Sequence, residues 1–529
     1  MRNFHHPGRS PVHATRAMAT TSHPLATSAA LDVLRSGGNA MDAAITAAAT
    51  LCSVEPHMTG IGGDCFVLYA PAGSSEIHAY NGSGRTPRTL KPADMPDDGN
   101  GQLPAQSPHA VTVPGAIDAW WRLHGDFGRK PWADLLAPAI DYAENGYPVH
   151  ARVASDWAQE TATLHTCSTA REQMLVDGAA PREGSIHRQP LLAETLRTIA
   201  REGRDGFYQG PVAADIVEYL QGLNGFHTLE DLADHAGEYV TPISTQYRGY
   251  EVCECPPNGQ GLTALIMLRI LAQQSLPEDP LHPQRLHYLA EAARLAYRER
   301  DARIADPAFA AVPVEEILSE GYIGRLVDQV SHDRAVPAAD AGVFPAHKDT
   351  IYLTVVDAEG NCASFINSLF GPFGSGLMTP RTGVMLHNRG CGFRVAPADH
   401  PNRIEPGKRP LHTIIPGMLK RDGQAVMPFG VMGAHYQPTG QTWLLGNMLD
   451  YGLDPQAALD LPRAFFYDGE MQLEAGIPNE TADALTAMGH KVVRAEKPHG
   501  GGQAIWRDPA TGVLTAGSDP RKDGSALGF

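Results

Sequence analysis

The stretch that decides the fold is Asp349-Thr350-Ile351-Tyr352-Leu353-Thr354-Val355-Val356-Asp357, followed by Ala358-Glu359-Gly360 and Asn361-Cys362-Ala363-Ser364-Phe365-Ile366-Asn367-Ser368. It predicts a strand, a short Glu-Gly turn and a second strand, which together form a hairpin. Side chains alternate between the two faces of a strand, and both faces of the first strand are largely apolar. We therefore expect this strand to be buried between two layers rather than half exposed.

Thr350 stands at the start of this strand, and a cut between Asp349 and Thr350 would make it an N-terminal residue. A threonine hydroxyl is too weak an acid to attack an amide unaided, whereas a free α-amine with a pKa of roughly 7.7–8.0 can accept its proton. Threonine paired with its own N-terminal amine is an established type of nucleophile. An Asp-Thr pair at a strand start is also ordinary in non-catalytic proteins, so the rest of the chain must decide.

Further motifs occur in a fixed order along the chain. They are residues 14–16, 36–44, 56–64, 81–85, 373–376, 406–410 and 518–524. Together with residues 350–376, this ordered set resembles the γ-glutamyltransferase family, whose members are N-terminal-nucleophile hydrolases made by self-cleavage before a threonine. Each motif alone is weak, and the ordered set from residue 14 to residue 529 is specific.

The resemblance implies an α/β fold, a four-layer αββα sandwich of the N-terminal-nucleophile hydrolase type. It implies a proenzyme cut into a large subunit, residues 1–349, and a small subunit, residues 350–529, which stay associated as one domain. The partners it implies are a small-molecule amide and the two cleavage fragments as a heterodimer, with a dimer of heterodimers left open. It implies no cofactor and no metal.

Five residues occupy catalytic or substrate-binding positions of that family. Thr350 matches the nucleophile, and Ser368 keeps a hydroxyl where the transferases often have a threonine that bonds the nucleophile. Gly433 and Ala434 follow a predicted strand, and backbone N–H groups at such a turn suit an oxyanion hole. Arg85 matches the arginine that grips the substrate carboxylate. It follows Gly82-Ser83-Gly84, and a loop arginine can form two parallel hydrogen bonds to a carboxylate.

The glutamyl pocket departs from the family pattern. Phe370 replaces a substrate-binding asparagine, Arg389 replaces glutamine or glutamate, and Gly392 replaces the aspartate that holds the substrate ammonium. His412 and Thr413 replace the paired serines that bind the carboxylate. An ammonium buried without an anionic partner costs several kcal/mol. The pocket therefore favours a plain anion, and the acylase-like and oxamate amidohydrolase branches of the family resemble this pattern better.

Three hypotheses for function follow. The first is a glutathione or γ-glutamyl hydrolase or transferase acting through an acyl-enzyme on Thr350. The second is an amidohydrolase or acylase for another small anionic amide such as oxamate, bound by Arg85, Arg389, His412 and Thr413. The third is a non-catalytic binding protein that never matures. Hydrolysis and transfer to an acceptor both stay open.

Composition excludes several other classes of protein. The chain of 529 residues is 43% hydrophobic and 19% charged, as in an ordinary globular protein, and its net charge of −17 disfavours nucleic acid or anionic membrane as a partner. Seven scattered cysteines give no disulfide framework, so we expect reduced thiols. The N-terminus lacks a secretory signal pattern, and no apolar run approaches the ~20 residues of a membrane span. We expect a cytoplasmic location.

Local patterns predict several other elements. Residues 26–34 and 39–53 read as two helices, the second rich in alanine, and 65–69 as a strand. Residues 110–345 read as mainly helical, with a strand at 247–252 and a helix at 287–300. Residues 331–348 form the most linker-like segment, directly before the predicted cut. Residues 383–386 are predicted as a further strand.

Overall fold

Two seven-stranded antiparallel sheets form the centre of the molecule in a computed structural model that describes residues 8–336 and 350–529. From edge to edge, the first sheet consists of β1 (Val12–Ala14), β18 (Leu514–Ser518), β17 (Gly501–Arg507), β13 (Gln424–Met432), β12 (Gly417–Arg421), β9 (Tyr250–Glu254) and β8 (Ile243–Tyr247). The second consists of β19 (Ser525–Gly528), β2 (Met18–Thr21), β10 (Ile351–Val356), β11 (Cys362–Ser368), β3 (Asp64–Ala70), β4 (His78–Gly82) and β7 (Glu238–Val240).

Two small sheets and eighteen α-helices complete the described part of the chain. The small sheets are formed by β5 (Tyr147–Pro148) with β6 (Ile186–His187), and by β14 (Ala464–Tyr467), β15 (Glu470–Leu473) and β16 (Lys491–Arg494). The helices are α1 (Pro24–Arg35), α2 (Ala40–Val54), α3 (Ala116–Phe127), α4 (Trp132–Asn145), α5 (Ala151–Gln159), α6 (Thr161–His165), α7 (Ser168–Met174), α8 (Pro190–Glu202), α9 (Asp205–Tyr208), α10 (Gly210–Gly222), α11 (Leu229–Ala233), α12 (Gly261–Leu271), α13 (Pro283–Arg303), α14 (Val314–Ile317), α15 (Glu320–Val327), α16 (Gln437–Leu449), α17 (Pro455–Asp460) and α18 (Asn479–Ala487).

Helices cover the outer faces of both sheets. Helices α1 and α2 pack on β2, β10 and β11 of the second sheet, while α12 and α16 pack on β8 and β13 of the first. Between them, β10 contacts β13 and β17 across the interface of the two sheets. This is the four-layer αββα arrangement that the sequence resemblance predicts, and the prediction is confirmed.

Strand β10 lies in the middle of this sandwich. All six of its residues are buried, as its apolar faces predict. Tyr352 packs against Gly430 of the facing sheet so closely that a Cβ on Gly430 would lie 2.5 Å from the tyrosine ring. Only glycine fits there, so the two sheets approach each other closely two residues after Thr350.

The helix pair before β3 forms as predicted. Asn39 caps α2: its side chain accepts hydrogen bonds from the N–H groups of Met41 and Asp42, and Asp42 in turn accepts the N–H of Asn39. Every residue of α2 is buried, because its small side chains allow close packing between α1, α4 and the sheet.

Two predicted strands are wrong. Residues 247–252 do not form one strand but straddle the turn between β8 and β9, where Arg248 and Gly249 adopt φ of 50° and 82°. The two short strands have similar polar and aromatic alternation, so the sequence predicts a single strand if the turn between them is overlooked. Residues 383–386 form only isolated bridges, between Gly62 and Leu386 and between Met378 and Met385, because the chain turns at Gly383 (φ 64°).

All seven cysteines are free and buried, as expected. Within residues 8–336 and 350–529, no helix is long and apolar enough to cross a membrane. The same residues contain no group of three or more histidine, cysteine, aspartate or glutamate side chains arranged to hold a metal ion.

Candidate active site

Thr350 and Ser368 face each other at the open end of the central hairpin. Strands β10 and β11 pair with Ile351 opposite Asn367, so the next residue on each strand lies across from the other. The two hydroxyl oxygens are 3.1 Å apart, and both side chains are fully buried. The pairing that the sequence predicts is therefore present at hydrogen-bonding distance.

The surroundings of Ser368 determine the direction of this hydrogen bond. The backbone N–H of Phe370 donates to Ser368 Oγ at 2.8 Å, and Arg389 Nη2 donates to the same oxygen at 3.4 Å. A serine hydroxyl has two acceptor lone pairs and one proton. Since two N–H donors occupy both lone pairs, the Ser368 proton points to Thr350 Oγ1. Ser368 thus stabilises negative charge on the threonine oxygen and cannot serve as its base.

Arg389 is a wholly buried cation beside the two hydroxyls. It begins a short 3₁₀ turn (Arg389–Gly392), stacks over the Phe370 ring at 4.3 Å and donates through Nη1 to Thr413 Oγ1 at 2.8 Å. Its buried Nε has no hydrogen-bond partner among the described residues. Burial lowers the pKa of Arg389 to about 9, although the charge of Asp64 opposes that change.

No described carboxylate lies within 4.0 Å of the Arg389 guanidinium. A buried arginine normally has an anionic partner, since an unpaired buried charge is costly. The site therefore contains a cation with unused hydrogen-bonding capacity next to the candidate nucleophile. A ligand carboxylate would supply the missing partner.

The turn after β13 contains Gly433 and Ala434, whose role as oxyanion donors stays a prediction. Gly433 and Ala434 adopt φ of 120° and 46°, so the chain reverses sharply directly after the strand. The N–H of Tyr436 donates to Gly433 O at 2.9 Å, and Gln260 Nε2 donates to Ala434 O at 2.9 Å. Because the C=O and N–H of one trans peptide point in opposite directions, holding Gly433 O fixes the direction of the Ala434 N–H, and holding Ala434 O fixes that of the His435 N–H.

A small apolar cluster joins this turn to the hydroxyl pair. Ala434 packs with Ala110, Phe370 and Cys391 in one buried group. Phe370 lies two residues after Ser368 and donates its N–H to that side chain. Phe370 therefore links Ser368, the Arg389 guanidinium and the candidate oxyanion turn through direct contacts.

His412 has a structural partner rather than an open face. Its Nε2 lies 3.0 Å from Asp64 Oδ2, Ile414 donates its N–H to Nδ1 at 3.4 Å, and the ring packs on Phe66. Burial and the charge of Arg389 lower the pKa of His412 to about 3, so the ring is neutral and its Nε2–H donates to the carboxylate. Both ring nitrogens are used inside the protein, which favours a positioning role over the predicted contact with substrate.

Asp64 is the buried anion of this region. Its carboxylate also accepts the N–H groups of Gly84 and Gly115, at 3.2 and 3.1 Å. Burial alone would raise its pKa, but the charge of His387 and the hydrogen bond from His412 hold it at about 2. Asp64 therefore stays ionised and anchors the loops that carry Gly84 and His412.

Arg85 is half-buried and already paired. Its Nη1 lies 3.2 Å from Asp306 Oδ2 and 3.1 Å from Gly407 O. Nothing among the described residues joins it directly to Thr350 or Arg389. The predicted role of Arg85 in gripping a substrate stays a prediction, and in this structure its guanidinium binds the protein itself.

The structure thus brings together Thr350, Ser368, Arg389, Thr413 and Ala434, while Asp349 lies outside the described residues. Sequence reasoning missed Gln260, whose side chain bridges Thr413 O and Ala434 O. The signal that could have found it is a glutamine inside a Pro- and Gly-rich loop at the start of a helix. Such a residue is well placed to bond neighbouring backbone.

Known proteins resemble this chain over its whole length. A sequence model described as Gamma-glutamyltranspeptidase matches residues 26–529. The Glutathione hydrolase-like YwrD proenzyme of Bacillus subtilis (strain 168) is 37% identical over 529 residues, covering 98% of this chain and 99% of that protein. The Oxamate amidohydrolase proenzyme of Klebsiella pneumoniae is 35% identical over 532 residues, covering 98% and 99%.

A solved structure has the same fold. The cephalosporin acylase from Bacillus halodurans superposes with a TM-score of 0.93 at 39% sequence identity, covering 100% of this chain and 99% of that one.

Proposed function

Because the chain belongs to the gamma-glutamyltranspeptidase family, we propose that it is a self-cleaving amide hydrolase with Thr350 as its nucleophile. We propose further that its preferred substrate is the amide of a small acid that carries its own carboxylate and no ammonium group.

The observation that carries this proposal is the buried guanidinium of Arg389 beside Thr350 and Ser368, which has no carboxylate partner among the residues that the structure describes. A substrate carboxylate would pair with it through charge-assisted hydrogen bonds. A substrate ammonium at the same place would meet a like charge, with Gly392 offering no anion. The similarity to an oxamate amidohydrolase proenzyme agrees with this preference.

The proposed mechanism assigns a step to each of these groups. The α-amine of Thr350 takes the proton of Oγ1 as that oxygen bonds to the amide carbonyl carbon, while the Ser368 hydroxyl donates to Oγ1. The N–H groups of Gly433 and Ala434 hold the negative carbonyl oxygen. When this tetrahedral adduct collapses, its C–N bond breaks and the α-ammonium gives its proton to the leaving amine. Water then hydrolyses the ester on Thr350 and releases the acid.

Maturation by a cut at Asp349–Thr350 would leave residues 1–349 and 350–529 associated as one domain. Relatives described as proenzymes support such self-processing. Transfer of the acyl group to an amine acceptor, further dimerisation and a cytoplasmic location stay predictions, which acceptor assays, sedimentation and cell fractionation test respectively.

A γ-glutamyl substrate is the second candidate, favoured by the similarity to a Glutathione hydrolase-like proenzyme. Glutaryl-p-nitroanilide and γ-glutamyl-p-nitroanilide differ only in the α-ammonium group and so separate the two. Unpaired burial of an ammonium costs several kcal/mol, so we expect kcat/KM at least about 100-fold higher for the glutaryl compound. Oxamate and glutathione extend the panel.

Intact mass of the purified protein comes first, with Thr350→Ala as the control. We expect two fragments split before Thr350 in the wild type and one uncut chain in the variant. A wild type that stays uncut, or a Thr350→Ala protein that still splits at that bond, would overturn the proposed mechanism. A preference for γ-glutamyl-p-nitroanilide would be compatible with the proposed mechanism but would overturn the proposed acyl specificity.

A further inference from the structure

We propose that Gln260 is a positioning residue that holds the turn at Gly433 and Ala434 in its oxyanion-binding geometry and ties that turn to the acyl pocket. The inference rests on the proposed function, because it assigns the turn a role in amide cleavage. Gln260 lies in the loop that leads into α12 and is wholly buried.

Every polar atom of the Gln260 side chain has a partner. Nε2 donates to Thr413 O at 2.7 Å and to Ala434 O at 2.9 Å, while Oε1 accepts from Arg300 Nη1 at 3.1 Å. Thr413 also carries the hydroxyl to which Arg389 donates. One side-chain amide therefore connects the wall of the acyl pocket with the candidate oxyanion turn.

The orientation of this amide is fixed by chemistry. Both groups facing Nε2 are carbonyl oxygens, which only accept, and the group facing Oε1 is a guanidinium, which only donates. A flipped amide would set oxygen against oxygen and N–H against N–H. Arg300 is itself held in place, by Asp301 at 2.7 Å and by His435 Nδ1 at 3.0 Å.

Ala434 is the residue that needs this support. Its φ of 46° lies in the left-handed region, which is unfavourable for any residue with a Cβ. If the carbonyl of Ala434 were released, the residue could relax to negative φ, and the peptide planes on either side would turn. Gln260 holds that carbonyl, so it helps to keep Ala434, whose N–H is a candidate oxyanion donor, in this conformation.

The two halves of this contact come from different sides of the predicted cut. Gln260 and Arg300 precede Thr350 in the chain, whereas Thr413 and Ala434 follow it. In the mature enzyme the larger fragment would thus hold the oxyanion turn of the smaller one.

The test is Gln260→Glu, which keeps the shape of the side chain but sets a carboxylate against two carbonyl oxygens. Loss of one oxyanion donor costs about 100- to 1,000-fold in kcat, and for a misaligned turn we expect a roughly 10- to 100-fold loss with KM changed less than about threefold. A boronic acid that mimics the tetrahedral adduct should lose affinity by a similar factor, while the product acid should not. If Gln260 had a purely structural role, the variant would bind the boronic acid and the product acid more weakly by the same factor.

A double-mutant cycle with Ala434→Gly tests whether Gln260 acts by holding Ala434 in its left-handed conformation. Glycine adopts left-handed φ without penalty. We therefore expect Gln260→Glu to cost roughly tenfold less in kcat on the Ala434→Gly background than on the wild type. Additive effects would overturn the proposal. Gln189→Glu is the matched control, because Gln189 is a buried glutamine that donates to Ser53 O outside this site.

Self-cleavage gives a readout that needs no substrate. Attack of Thr350 on the preceding carbonyl also forms an oxyanion, so a folded Gln260→Glu precursor should cleave more slowly than wild type. Should that variant fail to fold, Gln260→Asn retains the amide and shortens its reach. Wild-type cleavage and turnover in a folded variant would overturn the inference. A wild type that cleaves neither anilide would instead overturn the proposed function.

Discussion

Replacing Arg389 with methionine should stabilise the protein and abolish the proposed preference for anionic acyl groups. Arg389 is wholly buried and stacks on Phe370, and its hydrogen-bond partners within residues 8–336 and 350–529 are the hydroxyls of Thr413 and Ser368. Methionine keeps the apolar contact with the ring and removes the buried charge. Stability and activity are therefore expected to change in opposite directions.

The size of the stability change follows from the cost of the charge. Burial lowers the pKa of Arg389 to about 9, and at about 1.4 kcal/mol per pH unit this corresponds to roughly 4–5 kcal/mol. The variant also loses the hydrogen bonds to Thr413 and Ser368, and each loss reduces this gain in stability by about 1 kcal/mol. The net expectation is a gain of roughly 2 kcal/mol, or about 2 °C in Tm for a chain of 529 residues.

The size of the activity change follows from the ion pair with substrate. Two charge-assisted hydrogen bonds of about 1.5–3 kcal/mol each correspond to a roughly 100- to 1,000-fold or greater fall in kcat/KM for glutaryl-p-nitroanilide. Pentanoyl-p-nitroanilide has the same chain without the carboxylate. Its kcat/KM should fall less than about tenfold, the residual loss coming from the weaker orientation of Ser368.

The assay is a thermal melt of each variant alongside kinetics with both anilides. Arg463→Met is the matched control, because Arg463 is equally buried but pairs with Asp519. Removing Arg463 leaves the buried Asp519 carboxylate with Arg521 as its remaining cation, at 3.2 Å, and should destabilise the protein. If Arg389→Met lowers Tm and lowers kcat/KM equally for both anilides, Arg389 is a structural residue and the reasoning fails.

Three further predictions concern neighbouring groups. Ser368→Ala removes the donor to Thr350 and should lower kcat roughly 10- to 100-fold in stopped assays. Ser368→Thr keeps the hydroxyl, so its kcat should stay within about fivefold of the wild-type value. Equal losses of kcat in the two variants would contradict the assigned hydrogen bond. His412→Ser leaves Asp64 without its imidazole donor and should cost about 2–4 kcal/mol in urea unfolding; a change in acyl preference without loss of stability would show that His412 contacts substrate instead. Burial raises the pKa of Glu254 well above its ordinary value, so the folded state holds a proton that the unfolded state releases above about pH 4.5, and this group makes stability fall as pH rises from there. Burial also raises the pKa of Glu55, to about 7, so Glu254→Gln should make the fall in stability between pH 5 and pH 8 shallower without removing it; a slope equal to that of the wild type would refute this assignment.

Residues close in sequence predicted the local structure well. The hairpin that pairs Thr350 with Ser368 could be read from alternation and a Glu-Gly turn, because register follows from a short loop. Asn39 and Asp42 announce the start of α2 for a similarly local reason. The layered architecture needed the resemblance, since alternation alone does not say which sheet a strand joins.

Contacts between distant segments were not predictable from the sequence. Arg85 has the right neighbours to bind a carboxylate, yet the carboxylate it meets is Asp306, more than two hundred residues away. Gln260 gains its importance only when the loop before α12 packs against Thr413 and Ala434. These partners depend on the packing of the two sheets, about which local patterns carry no information.

The order of strands in the two sheets has a consequence for how the enzyme survives denaturation. In the second sheet, β10 and β11 from the later segment lie between β2 and β3 from the earlier one, and in the first sheet β18, β17, β13 and β12 lie between β1 and β9. Neither sheet can form from one segment alone. Once the proposed cut is made, reassembly changes from a unimolecular to a bimolecular reaction, and linked segments lose an effective concentration on the order of millimolar. The precursor can refold in dilute solution, whereas the mature enzyme depends on the kinetic barrier to its unfolding.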